Sequence, residues 1–308
     1  MRAWSRLTAF AGIAAVLMLL ALASSLPAQG GVSGLIARGN QLLAAGAFAQ
    51  AAATFERARR IAGDGCVDCQ VGLARSYYGL EDYRAVITPA QAAIGGSERE
   101  ATLAEMARLL EVSLWHEARN RPAVLQRSAG AFRKVLKVGG VGERTALAGL
   151  FHVQARLGRT GEILSLAEGR LAAGPVEKRG ALCAANPKPL GPNPSPAFQA
   201  ELNRGLAAFG WTGPYFVVDG VERPARISGA PPVYTEEARR RRISGVVILR
   251  GVVTAEGGVS GVEVLAGLPF GLSESAVQAY RGWTFQPATL GGAAVPVCQT
   301  LTINFQIQ

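Results

Sequence analysis

The sequence predicts a multidomain α + (α+β) fold: a helical repeat region, then a small domain with a three-stranded antiparallel sheet and two helices. Three observations predict it. Residues 32–180 are rich in Ala, Leu and Arg with helical periodicity. Residues 186–196 read Asn-Pro-Lys-Pro-Leu-Gly-Pro-Asn-Pro-Ser-Pro, where each residue before a proline is pushed out of the helical region. The tail alternates: Val295, Val297, Leu301, Ile303, Phe305 and Ile307 fall on one face of a strand, and Cys298, Thr300, Thr302, Asn304, Gln306 and Gln308 on the other. The expected divisions are a leader at 1–28, helical repeats at 32–180, a linker with a short helix and hairpin at 181–223, and a terminal domain at 224–308.

The leader begins with Arg2 and Arg6, and Leu7 to Ala23 carries no charge. Ala21-Leu22-Ala23 is a small-residue cleavage signal, which reads as a secretory signal peptide. Counted out to Leu26, the same stretch is long enough for a retained membrane anchor. Ser24, Ser25 and Pro27 end the run early and favour cleavage. Either way the basic flank stays inside and the remainder is expected in the periplasm.

Export bears on the four cysteines, Cys66, Cys69, Cys183 and Cys298, because an oxidising compartment permits disulfides. Four cysteines allow three pairings, and the favoured one joins Cys66 to Cys69 and Cys183 to Cys298, since the first two share a turn. Cys66-Val-Asp-Cys69 lacks the strand-to-helix context of a redox motif, and the other pair lacks close spacing for zinc, so no metal site or cofactor is expected. The net charge of +10 is spread along the helical region and not gathered into one stripe, which makes nucleic acid a poor partner. No nucleophile–base pair or phosphate loop is visible, and an enzyme is not expected.

Within the helical region, Gly39, Gly46, Phe48, Ala51, Phe55 and Ala58 are spaced as in tetratricopeptide repeats, which this stretch resembles. A second copy runs through Ala74, Tyr77, Tyr83, Val86, Ala90 and Ala93, with Pro89 either kinking its second helix or marking a first turn. Ala101 to Val138 is helical but poorly matched, with Pro122 breaking it. Leu147, Gly158, Ile163 and Ala167 restore the motif. The resemblance implies either a scaffold that binds a protein partner of its own or a spacer. The two histidines, His116 and His152, are isolated here and expected to be solvated or capped.

Past the linker, a short helix is expected over about 195–208, and Tyr215 to Glu222 reads as a hairpin turned at Asp219-Gly220. Thr235 is a good N-cap, with Glu236–Arg240 and Glu237–Arg241 paired along the helix it starts. Gly245–Thr254 and Val259–Leu265 form a hairpin around Glu256-Gly257-Gly258. Ser273 is expected to cap a helix over Glu274–Arg281, Trp283 and Phe285 to be core aromatics, and Pro287 to turn the chain into the last strand.

Pro232-Val-Tyr234, the helix Thr235–Arg242, Gly245-Val-Val247, Gly257-Gly-Val259 and Trp283-Thr-Phe-Gln-Pro-Ala288 together resemble the C-terminal domain of TonB-family energy transducers. The resemblance covers roughly a quarter of the chain. It implies docking on an outer-membrane transporter, a short segment of which adds to the final strand by β-augmentation in support of transmembrane transport. The implied contacts are Val297, Gln299, Leu301, Ile303 and Phe305 on the strand, with Pro231, Pro232 and Tyr234 beside it. Thr235 stands where the family has a proline. The inner-membrane ExbB–ExbD motor is an implied partner if the N-terminus is retained. The other reading is a periplasmic scaffold whose terminal domain is a generic protein or peptidoglycan binding module.

Overall fold

The computed structural model describes residues 31–117, 121–185, 196–218 and 220–307. The leader, the linker residues before Pro196, Asp219 of the expected turn and Gln308 lie outside them.

Eight helices follow one another, each packed on the next: α1 (Val32–Ala44), α2 (Phe48–Ala62), α3 (Val67–Gly79), α4 (Tyr83–Gly96), α5 (Glu100–His116), α6 (Pro122–Val138), α7 (Glu143–Arg156) and α8 (Thr160–Leu171). Glycines opposite aromatic rings set how closely the helices approach. Phe55 is fully buried, and its ring lies 2.5 and 2.3 Å from where a Cβ on Gly39 or Gly72 would sit. Phe132 repeats the device against Gly149 at 2.2 Å. Each buried ring contributes roughly 1.5–3 kcal/mol.

The two prolines differ in position. Pro89 is buried inside α4, which runs through it, whereas Pro122 starts α6 in the first turn, where its missing N–H has no helical partner to lose. The poorly matched stretch forms the centre of the stack, with Leu103, Met106, Leu110 and Leu114 of α5 buried.

The described parts of the junction, 181–185 and 196–218, pack against the rest of the chain. After the short helix α9 (Val176–Arg179), a 3-10 turn (Gly180–Ala185) is buried throughout, and α10 (Pro196–Ala208) packs on α8 with Leu202 and Leu206 buried. Its Asn203 clamps Phe216, donating to the carbonyl at 2.8 Å and accepting from the amide at 3.0 Å. Trp211, Tyr215 and Phe216 are buried. The expected hairpin does not form. Tyr215 makes a parallel bridge to Val297 instead, and β1 (Val221–Glu222) pairs with β6 (Ala288–Leu290), so each half finds a distant partner.

The main terminal sheet has the order β4 (Val259–Ala266), β3 (Gly245–Val253), β8 (Val297–Phe305), all antiparallel. Nine consecutive pairs, from Gly245 with Phe305 to Val253 with Val297, join β3 to β8. Helix α12 (Leu272–Arg281) covers one face with Ala276 and Tyr280 buried. Two small ribbons complete the domain: β2 (Ala225–Ser228) with β5 (Thr284–Gln286), and β6 with both β1 and β7 (Ala293–Val295). The β6–β7 hairpin fills the place expected for a simple turn after Pro287.

At the β3–β4 turn Gly257 has φ +83°, and a Cβ there would meet the Phe285 carbonyl at 2.0 Å, so this turn requires glycine. Thr235 caps α11 (Glu236–Arg240) by accepting from the Ala238 amide. Glu237 pairs with Arg241 at 2.5 Å, whereas Glu236 meets Arg239 rather than Arg240. Ser273 is not the cap of α12. The cap position is Gly271, and the Ser273 hydroxyl bonds the Leu268 amide and carbonyl, pinning the loop before the helix.

The sheet's second face docks on the helical stack. Arg250 of β3 is buried and donates to Glu111 of α5 at 3.0 Å and to Glu263 of β4 at 2.6 Å. Arg144 of α7 pairs with Glu263 at 2.8 Å and donates to the Gly261 carbonyl at 2.9 Å. Burial alone would lower the Arg250 guanidinium, but Glu111 and Glu263 outweigh it and hold the group above the ordinary arginine range. Burial pushes the Glu111 carboxyl up, with Arg250 opposing.

His116 is half-buried and capped, and His152 is buried. His116 Nε2 lies 2.8 Å from the Leu265 carbonyl with its ring stacked on Tyr83, and His152 is buried 4.0 Å from Glu111. Both lie near the seam with the terminal domain, His116 against the Leu265 carbonyl of β4 and His152 beside the Glu111 that Arg250 of β3 reaches.

Candidate functional site

The two edges of the main sheet differ. On β4 the Gly261 and Leu265 carbonyls accept from Arg144 and meet His116, so the helical stack occupies that edge. On β8 the outer edge is covered at its beginning only. Tyr215 donates to the Pro296 carbonyl and accepts from the Cys298 amide, both at 2.9 Å, and Cys298 is bonded to Cys183 of the 3-10 turn.

These bonds fix the direction of the whole edge. The Pro296 carbonyl and Cys298 amide face outward, and in a strand the direction alternates by residue. The amides and carbonyls of Thr300, Thr302 and Asn304 therefore also face outward. Among the described residues β8 has no strand partner on this side beyond the Tyr215 bridge. All three residues are exposed.

The sequence-selected strand residues are the alternate set. The backbones of Gln299, Leu301, Ile303 and Phe305 face β3, and the side chains of Val297, Ile303 and Phe305 are buried. Gln299 and Leu301 are half-buried, and Gln299 accepts from the Tyr280 hydroxyl at 2.8 Å. Their chemistry is packing. The period-2 pattern that located the strand marked its core face, and the outward backbone belongs to the polar residues between. A hydrophobic search passes over those.

Tyr234 is brought to the strand's end. Its ring meets Phe305 edge-to-face at 5.9 Å, and its hydroxyl donates to the Ile243 carbonyl. Pro231 is exposed and Pro232 half-buried ahead of it, and the Ser275 hydroxyl bonds Val233 amide and carbonyl to fix the segment. Hollows flank the open edge at both ends. One of about 260 Å³ is lined by Tyr234, Arg239, Gln306 and Ile307. One of about 530 Å³ includes Phe216, Arg223, Cys298 and Thr300 in its wall. An extended peptide thus has three outward backbone positions to pair with and room at either end.

Cys66 and Cys69 are bonded to each other at the start of α3, away from this edge. Among the described residues no group of His, Cys, Asp or Glu has the arrangement of a metal site. No helix among them is long and apolar enough to cross a membrane.

Residues 230–307, the last quarter of the chain, match the family model described as Gram-negative bacterial TonB protein C-terminal. Among solved structures, the solution NMR structure of the Pseudomonas aeruginosa TonB C-terminal domain is similar, at 28% identity over 28% of this chain and 87% of that one, with a TM-score of 0.24. No curated protein matches the chain.

Proposed function

We propose that the outer edge of β8 from Thr300 to Asn304 receives an extended segment of an outer-membrane transporter, and that the protein acts in the periplasm as a TonB-like transducer or accessory in support of transport. The observation that carries this reading is the half-open edge: one end is held by Tyr215 and Cys183, while among the described residues three successive outward backbone positions have no strand partner. The family match at residues 230–307 supports this reading. Backbone pairing supplies affinity in such an arrangement, and the flanking hollows select side chains.

The accessory form is favoured by one feature. The terminal domain is fastened to the helices by the Cys183–Cys298 bond and the Glu111–Arg250 pair, which suits a rigid receptor for a second protein better than a domain on a long tether. Contact with the ExbB–ExbD motor would require retention of the leader at 1–28. The scaffold reading shares this geometry and differs in the partner that the edge recovers.

Thr302→Pro tests the proposal. It removes one outward amide and leaves the β3 ladder intact, the setting in which strands tolerate proline. The full chain should keep its melting temperature and lose binding of a synthetic transporter plug segment by at least about tenfold, or about 1.4 kcal/mol. Unchanged binding by this variant would refute the edge as the docking site.

A further inference from the structure

The Cys66–Cys69 bond takes no part in the β8 edge, and it closes a sequence separation of only 3, so loop closure gives it little stabilising effect. Its setting is that of an exchangeable pair. Cys66 is the N-cap of α3, a helix of 13 residues, and its Sγ accepts from the Cys69 amide at 3.3 Å. A thiolate on Cys66 would keep that donor and stand at the positive end of the helix dipole, and both effects lower the pKa of a thiol. Neither effect requires a strand before the helix. The carboxylates nearest in sequence would oppose the thiolate, but each is engaged: Asp64 pairs with Arg59, and Asp68 with Arg99 at 2.7 Å.

The two sulfurs differ in access. Cys69 is fully buried, whereas Cys66 is half-buried. The turn ahead of Cys66 is fixed, with the Cys66 amide donating to the Gly63 carbonyl at 3.2 Å and the Gln70 side chain donating to the Asp64 carbonyl at 3.1 Å. A Cβ on Gly63 or Gly65 would meet nothing within 4 Å, so the turn leaves room for another main chain beside it. An incoming sulfur reaches Cys66 and not Cys69.

We propose that Cys66–Cys69 is a redox-active pair that accepts electrons from a dithiol, the cysteine pair of a second polypeptide. A thiolate of the partner attacks Cys66 Sγ and forms a mixed disulfide, while the Cys66–Cys69 bond breaks and Cys69 leaves as a thiolate that takes a proton. The partner's second thiolate then attacks its own sulfur in the mixed disulfide and releases Cys66. The partner ends with a disulfide, having lost two electrons and two protons. Cys69 holds one of those protons, and the other passes to water while Cys66 stays ionised. Stabilisation of the Cys66 thiolate by the helix favours this direction of exchange.

Two measurements on the full chain test the proposal. In Cys69→Ala, the rate at which iodoacetamide alkylates Cys66 should rise with a midpoint at least about one pH unit below the ordinary cysteine value of about 8.5, a tenfold gain in thiolate. The unaltered oxidised chain, mixed with reduced acetyl-Cys-Gly-Gly-Cys-amide and quenched in acid, is then read by peptide mass spectrometry. Cys66–Cys69 should open at least about tenfold faster than Cys183–Cys298, with the trapped peptide on Cys66. The second measurement needs no substitution and stands if Cys69→Ala fails to fold. A midpoint within one unit of 8.5 or above it, peptide trapped mainly on Cys69, or equal rates at the two bonds would each overturn the proposal.

Discussion

Arg250 reaches Glu111 at 3.0 Å across 139 residues of sequence, and both side chains are buried. The terminal sheet and the helical stack therefore share one charge network with Glu263 and Arg144. Arg250→Ala leaves Glu111 buried and uncompensated, which should cost about 3–5 kcal/mol of unfolding free energy. Replacing both residues by apolar ones of similar size should cost less than either single change. Urea denaturation of the three variants checks this.

The same surface carries a pH dependence. Burial, reinforced by Arg156 and Arg250, holds His152 well below its usual value of 6.5, and burial also lowers His116. Both are neutral in the fold and protonate more readily in the unfolded chain. The unfolded state thus takes up more protons as pH falls through about 6.5, and stability declines there and recovers above it. Thermal melts over that range should show the slope, and His152→Gln should flatten it.

The Cys183–Cys298 bond closes a loop over a separation of 115 residues, whereas Cys66–Cys69 spans 3. Loop-closure entropy assigns the long bond about 2–5 kcal/mol and the short one much less. Cys183→Ser with Cys298→Ser should lower the denaturation midpoint well beyond the Cys66→Ser, Cys69→Ser pair.

Gly149→Ala places a Cβ 2.2 Å from the Phe132 ring. The overpacking should cost about 1–3 kcal/mol. Phe132→Leu in the same chain should recover part of that loss, because the smaller side chain vacates the contested space. Melting temperatures of the single and double variants decide it.

Particular residues show how much the sequence disclosed. Alternation at Val297, Ile303 and Phe305 located the last strand, because a half-buried strand imposes period 2. Gly257 located the β3–β4 turn through its required backbone conformation. Arg250 was illegible for the same reason that β8 was clear. A charged residue on the alternate face reads as solvent-facing, and the helices that cover it lie far away in sequence. The Tyr215 bridge is a single contact and leaves no periodic trace. The β6–β7 hairpin has only 3 residues in each strand, too few for alternation to register. Asp219-Gly220 suggested a hairpin by local turn chemistry, and pairing of Tyr215 with β8 overrode it.

Residue-resolved amide exchange of the full chain, with and without a transporter plug peptide, addresses the open edge most directly. The account predicts that the Thr300, Thr302 and Asn304 amides exchange fast in the free protein and become protected on binding, while those of Leu301 and Ile303 are slow throughout. Protection of the first three before any peptide is added, or no change in them at saturation, would contradict it.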